Sequence, residues 1–190
     1  MFPRNVSKAA SGLARLLDPE NPALSPFSKE LFQTLADQLA SIKKRIAFFN
    51  ERILRMHRTH PMCQRLSRIP GIGPVTAVAL VATLPGIAFF ENSRHLSAWL
   101  GLVPNQHSSG GKTRLGRISK RGDRMLRTLL IHGARSVVRL SDRRTDALGR
   151  WIRRLKTERG ANKAAVALAN KTARVVWALL ARDQEYKKPA

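Results

Sequence analysis

Between residues 32 and 56 apolar side chains return on a strict heptad, with Phe32, Leu39, Ile46 and Ile53 at a and Leu35, Ile42, Phe49 and Met56 at d. A 3.5-residue period held for four repeats requires a long helix with a narrow apolar seam. Ser25 followed by Pro26 supplies an N-cap and a first helical residue. Such a seam serves a coiled coil with another chain and an amphipathic helix lying on its own domain equally well. The pattern predicts a coiled-coil-type helix over 26–60. The residues before it, 1–25, hold prolines at 3, 19 and 22, which predicts a short helical piece and a linker.

Beyond the seam the punctuation is that of a compact helical domain over 61–190. A short helix carrying Leu66 must stop before Pro70, a turn follows at Gly71 and Gly73, and Pro74 starts a second helix, Val75 to Leu84, which Pro85-Gly86 ends. Helix, Ile-Pro-Gly-Ile-Gly, helix over 64–84 is the pattern of the helix-hairpin-helix DNA-binding motif. There Gly71 and Gly73 can offer backbone N–H groups to a phosphate oxygen without reading a base. A tight turn of purely structural purpose uses the same residues. Further helices are expected from Arg94 to Leu100 behind a Ser93 cap, from Arg124 to about Arg139 behind Asp123, from Thr145 to Leu155, and from Asn162 to Arg182. Leu102 to Pro104 is a short strand candidate, and 107–123 is expected to be a loop. The predicted class is all-α.

The charge balance narrows the partners. Thirty-five Lys and Arg against twelve Asp and Glu give +23, and the pI is about 11.8. Between Lys112 and Lys156 fifteen cations face only three acids. A one-signed basic surface calls for a polyanion, with binding that weakens steeply in salt. Arg124, Thr128, His132, Arg135 and Arg139 recur at helical spacing and share one face. An anionic membrane surface is the weaker partner, because the apolar stretch Val75 to Leu84 is too short to span a bilayer. Cys63 is the only cysteine, which excludes a disulfide framework and a cysteine-based metal site. His57 and His60 share a face without nearby carboxylates and are expected to be solvated, so no metal site is predicted. These features place the chain in a reducing cytoplasm, facing nucleic acid and no membrane.

Which residues could do chemistry? The twelve acids are scattered and form no strand-borne cluster of the kind that converges on two metal ions. Tyr186 is the sole tyrosine, and no Gly-x-Ser-x-Gly elbow is present. Ser108 and Ser109 remain, ahead of Gly110 and Gly111. A serine beside glycines can approach a phosphodiester closely, and Lys112, Arg114 and Arg117 could stabilise the oxygens of an attacked phosphate. Ser-Gly-Gly is also an ordinary linker, and spacing alone leaves both meanings open.

The stretches IPGIGPVTAVALVA and RHLSAWLGLVPNQHSSGGKTRLGRISKRGDRMLRTLLIHGAR closely resemble the C-terminal domain of the insertion-sequence-110 transposases, which include the 116, 902 and 1111 groups. The resemblance runs from about Phe27 to Arg182. That family comprises bridge-RNA-guided serine recombinases that act in DNA transposition. The resemblance implies that Ser109, with Ser108 as the fallback, attacks DNA. It also implies that Lys112, Arg114, Arg117, Lys120 and Arg121 contact nucleic acid together with Gly71 and Gly73, and the basic helix face adds Arg124 and Arg135 to the expected contacts. The implied partners are DNA, a guide RNA and further copies of the chain joined through the heptad helix. In the family a RuvC-like acidic domain binds Mg²⁺ and completes the site. This sequence shows no such domain and is expected to be inactive alone, whether through truncation, an internal start or a separately encoded acidic half. The alternative is a non-enzymatic helix-hairpin-helix remnant that only binds nucleic acid.

Overall fold

A computed structural model of the chain describes residues 12–18, 24–84, 86–109 and 112–187, apart from the side chains of 107–115. Most of the expected linker over 1–25 therefore lies outside the described residues, as do Gly110 and Gly111. The fold is all-α with one small antiparallel ribbon. It divides into two compact units, Met1–Arg52 and Ile53–Ala190.

Helix α1, Pro26–Thr59, runs 34 residues. The Ser25 hydroxyl accepts the Ser28 N–H at 3.2 Å, and the helix ends where the approach of Pro61 forces His60 into extended backbone (ψ 114°). No residue of α1 is buried. Leu13, Ala14 and Leu17, around a helical turn at 12–16, share a small cleft with Ala36, Leu39 and Ala40. Leu35, Ile42, Ile46 and Phe49 of the heptad stay 51–55% exposed.

The second unit is a helical domain, with six α-helices and one two-stranded ribbon among the described residues beyond α1. Helix α2 (Pro61–Ser67) and α3 (Pro74–Thr83) flank the Ile-Pro-Gly-Ile-Gly turn, and α4 spans Ser93–Trp99. Its cap is Asn92, whose Oδ1 accepts the N–H groups of Arg94 and His95 at 3.0 Å each. The expected cap, Ser93, is instead the first helical residue, because the amide oxygen one position earlier reaches both orphan donors. The expected loop over 107–123 is in large part a β-hairpin, β1 (Pro104–Ser109) with β2 (Lys112–Ile118). The overlooked signal is local: Gly-Gly between two six- or seven-residue runs is a two-residue hairpin signature.

Helix α5 (Arg124–Arg139) starts on Asp123, whose Oδ1 accepts the Leu126 N–H at 2.7 Å. Helix α6 (Ala147–Arg159) starts on Asp146, two residues later than expected, and runs four further. Gly160 (φ +83°) turns the chain into α7, Ala161–Ala181. By length and composition α7 could cross a membrane. Here it is the core helix: Ala164, Ala165, Leu168, Ala169, Thr172, Ala173, Val176 and Leu179 are buried. Four alanines on that stripe let neighbours close in, and α4, α5 and α6 all pack against it. The histidine pair is not solvated as expected. His57 Nε2 lies 2.7 Å from the Ser67 hydroxyl, and the half-buried His60 keeps an Nδ1 with no hydrogen-bond partner among the described residues.

The C-terminal segment folds back on the domain. Arg65 pairs with Asp183 and with Glu185, and Arg68 pairs with Glu185. Tyr186 lines a cavity of about 430 Å³ together with Ile69, Pro70, Leu148, Leu168 and Val175.

Two measurements test this packing. At the closest approach of α5 to the glycine turn, a Cβ on Gly133 would overlap the Gly71 carbonyl oxygen. Gly133→Ala should lower unfolding stability by about 3 kcal/mol, the upper range for overpacking, read from a urea midpoint; an unchanged midpoint would refute the contact. Burial pushes the Tyr186 phenol above its ordinary value of 10.0, and the nearby Arg144 charge opposes that rise. Because the unfolded phenol ionises first, this contribution to stability is complete below pH 10 and is lost as pH rises through the folded value. Absorbance at the tyrosinate band, from the only tyrosine present, should show a midpoint above 10 that falls back on denaturation.

Candidate nucleic-acid interface

Gly71 and Gly73 have different surroundings. Gly71, at φ +91°, is held against α5, and a Cβ there would meet the Gly133 oxygen at 2.9 Å and Val137 Cγ2 at 3.2 Å. Its freedom is consumed by packing. Gly73 is exposed, with nothing within 4 Å of a Cβ position. It forms the N-cap of α3 in extended backbone, and no side chain caps that helix end. Pro74 removes one donor, so first-turn N–H groups beyond it remain available for a partner. The turn is thus built from inside by Gly71 and offered outward at Gly73.

Ser109 stands at the far end of β1, paired in register with Lys112, and Ser108 pairs with Thr113. The side chains of these four residues, and that of Arg114, lie outside the described ones. A register shift between Pro104 and Gln106 bends the ribbon near its base. Arg117 near the end of β2 and Lys120 and Arg121 beyond it are exposed, Lys120 in a left-handed conformation at φ 55°. The feet of the hairpin are tied to each other. Ser119 N–H donates to the Val103 carbonyl at 2.9 Å and Lys120 N–H to that of Gly101 at 3.1 Å. Gly122, at φ +81°, runs so close beneath Trp99 that a Cβ would overlap its carbonyl oxygen.

Helix α5 presents the cationic face expected of it. Arg124, Thr128, His132, Arg135 and Arg139 are all exposed, while Leu126, Leu130, Ala134, Val137 and Val138 are buried. Arg124, Arg135 and Arg139 make no ion pair among the described residues. Some cations elsewhere are matched. Lys156 holds Asp142 at 2.8 Å, and that hydrogen bond, with the Lys156 charge behind it, keeps the Asp142 carboxyl below its ordinary range. Arg144 pairs with Asp146 at 2.5 Å. Lys120, Arg121 and the exposed face of α5 thus form a run of unmatched charge that phosphates could neutralise.

One charged residue departs from this pattern. Arg127 sits on the apolar side of α5, only 8% exposed. The signal in the sequence is an arginine directly after Leu126, on the wrong side of the helical wheel.

No three His, Cys, Asp or Glu side chains come together to hold a metal ion among the described residues. Asp142, Asp146, Asp183 and Glu185 are engaged by lysine or arginine, which makes these four poor ligands for Mg²⁺. Cys63 is fully buried, and burial raises its thiol above 9.0, which leaves it neutral and unreactive.

The sequence model of the IS116/IS110/IS902 transposase family matches residues 63–149, which include the glycine turn, the serine hairpin and most of the basic region. A probable family 20 transposase of Pseudomonas aeruginosa is 51% identical over 158 residues, covering 83% of this chain and 47% of its own length. The transposase for insertion sequence element IS1111A of Coxiella burnetii is 42% identical over 184 residues, 97% of this chain and 50% of its own length. The transposase for insertion sequence element IS1328 of Yersinia enterocolitica is 36% identical, covering 90% of this chain and 51% of its own length. The chain belongs to the IS116/IS110/IS902 transposase family. It spans about half the length of the curated relatives it matches.

Proposed function

We propose that this chain is the DNA-engaging, serine-bearing part of an insertion-sequence transposase. The observation that carries this is the placement of Ser109 at the end of a two-stranded ribbon, opposite Lys112, whose feet are fixed beside the unmatched arginines of α5. In the proposed step the Ser109 oxygen attacks a DNA phosphorus. A serine–phosphate ester forms, one P–O bond to deoxyribose breaks, and the departing oxygen takes up a proton. Arg117, Lys120, Arg121, Arg124 and Arg135 hold the phosphates on either side, with Lys112 and Arg114 on the ribbon and the Gly73 end of α3 as a further backbone contact. A guide RNA competes for, or shares, the same cationic surface.

The acids for Mg²⁺ come from a separate RuvC-like domain in this proposal, because no three metal-ligating side chains gather among the described residues, and Asp142 and Asp146 are bound to lysine and arginine. That same pairing favours a second reading, in which the chain binds nucleic acid and cuts nothing. The exposed heptad residues Leu35, Ile42, Ile46 and Phe49 support assembly of copies through α1.

Two tests separate these readings. Labelled DNA carrying the element's ends, with Mg²⁺, a cognate RNA and a separately supplied RuvC-like part, should give a denaturation-resistant protein–DNA band. Ser109→Ala should abolish that band and leave binding within about twofold, since each phosphate contact persists. A band that survives in Ser109→Ala moves the nucleophile to Ser108, and no band with intact binding leaves the binding-only reading. For assembly, Ile42→Glu with Phe49→Glu should convert an oligomer to a monomer in sedimentation equilibrium; an unchanged mass would exclude the helix as the interface.

A further inference from the structure

We propose that Arg127 is the positioning residue of the serine hairpin: its buried guanidinium joins the two feet of the β1–β2 ribbon and so sets the direction in which Ser109 is presented. This rests on the role proposed above for Ser109. Arg127 is the one charged residue buried among the described residues. Its Nη1 donates to the Leu100 carbonyl at 3.1 Å, to that of Arg121 at 3.2 Å and to that of Asp123 at 3.4 Å. Leu100 is the C-cap of α4, four residues before β1 begins, and Arg121 lies three residues after β2 ends. One nitrogen therefore ties departure to return.

The chemistry makes this an unlikely residue for packing alone. An arginine taken out of water without a carboxylate is costly, and an apolar side chain of similar volume would fill the same stripe of α5 at lower cost. No carboxylate pairs with Arg127 among the described residues. The adjacent Asp123 gives its Oδ1 to the Leu126 N–H and offers Arg127 only its backbone carbonyl. Compensation comes from carbonyl dipoles, including that of Leu100, the C-cap of α4, where the helix end is partially negative. The guanidinium gathers three backbone oxygens from both sides of the ribbon. That is the task of an anchor.

The ribbon needs one. A two-stranded hairpin is marginal without a further strand or helix against it, and this sheet has two strands only. Its direction is then decided at its base. Backbone bonds from Ser119 and Lys120 hold the strands to each other, while Arg127 is the side chain that bridges both feet among the described residues. An attacking oxygen must approach phosphorus in line, and about 1 Å of misplacement is enough to cost about 100-fold in rate.

The test uses amide hydrogen exchange on this chain and covalent DNA capture in the assay above. Arg127→Met keeps the volume and removes the donors. It should speed exchange at Ser119 and Lys120 by about tenfold or more, leave the α7 core amides unchanged, and keep DNA affinity within about twofold while capture falls about 100-fold. Arg127→Lys, whose ammonium offers three donors to the three carbonyls, should restore most of the capture and the protection. Unchanged exchange at Ser119 and Lys120 in Arg127→Met would overturn the proposal. So would faster exchange throughout the domain, which would mark a general core strut, or a lysine variant no better than methionine. If the unsubstituted chain captures no DNA, the Ser109 assignment fails, and the exchange arm still decides whether Arg127 anchors the ribbon.

Discussion

The contact on which the functional half depends is between two backbones. Gly71 and Gly133 meet with no side chain between them, so the turn joining α2 and α3 rests directly on the middle of α5. Gly133 and Val137 take the turn, and the helical period then carries Arg135 and Arg139 round to solvent. One face of α5 receives the turn while another is left to a polyanion. A larger residue at either glycine would prise the turn from the helix that carries the arginines.

The arginines of this domain do three different things, and surroundings alone separate them. On the exposed face of α5 they are unmatched, and the energy of neutralising them is left for a partner. On α2 and near α6 they are matched by Asp183, Glu185 and Asp146, which holds the C-terminal segment and the start of α6 in place. Arg127 is the one arginine buried among the described residues, and carbonyls rather than acids satisfy it. The same guanidinium thus serves as a surface charge, a clasp and an anchor, according to the water it retains.

Much of the architecture was legible because helix ends are local events. Asp123 and the proline of Pro26 or Pro74 announce themselves within four residues, and the corresponding helices lie where expected. Asn92 displaced Ser93 as a cap by a contest between adjacent oxygens. The ribbon was missed for another reason. Its residues Asn105, Gln106, Ser108 and Gly116 are polar or small and lack the alternation that marks a half-buried strand, so only the Gly-Gly pair pointed to it. The expectation for His57 fails because its partner, the Ser67 hydroxyl, lies ten residues on at the end of α2 and not on its own helix.

By itself the sequence determined the elements, the sign and concentration of the charge, and the presence of a serine between an apolar core and a basic run. These are set by period, capping chemistry and composition, which act over a few residues. The tertiary structure decided which glycine is packed and which is open, which arginine is buried, and that the serine segment is a ribbon standing on a three-carbonyl base. Those outcomes depend on groups far apart in the chain meeting in one place, as Gly71 meets Gly133 and Arg127 meets Leu100. No local pattern encodes such meetings, because each depends on how the other helices close around α7.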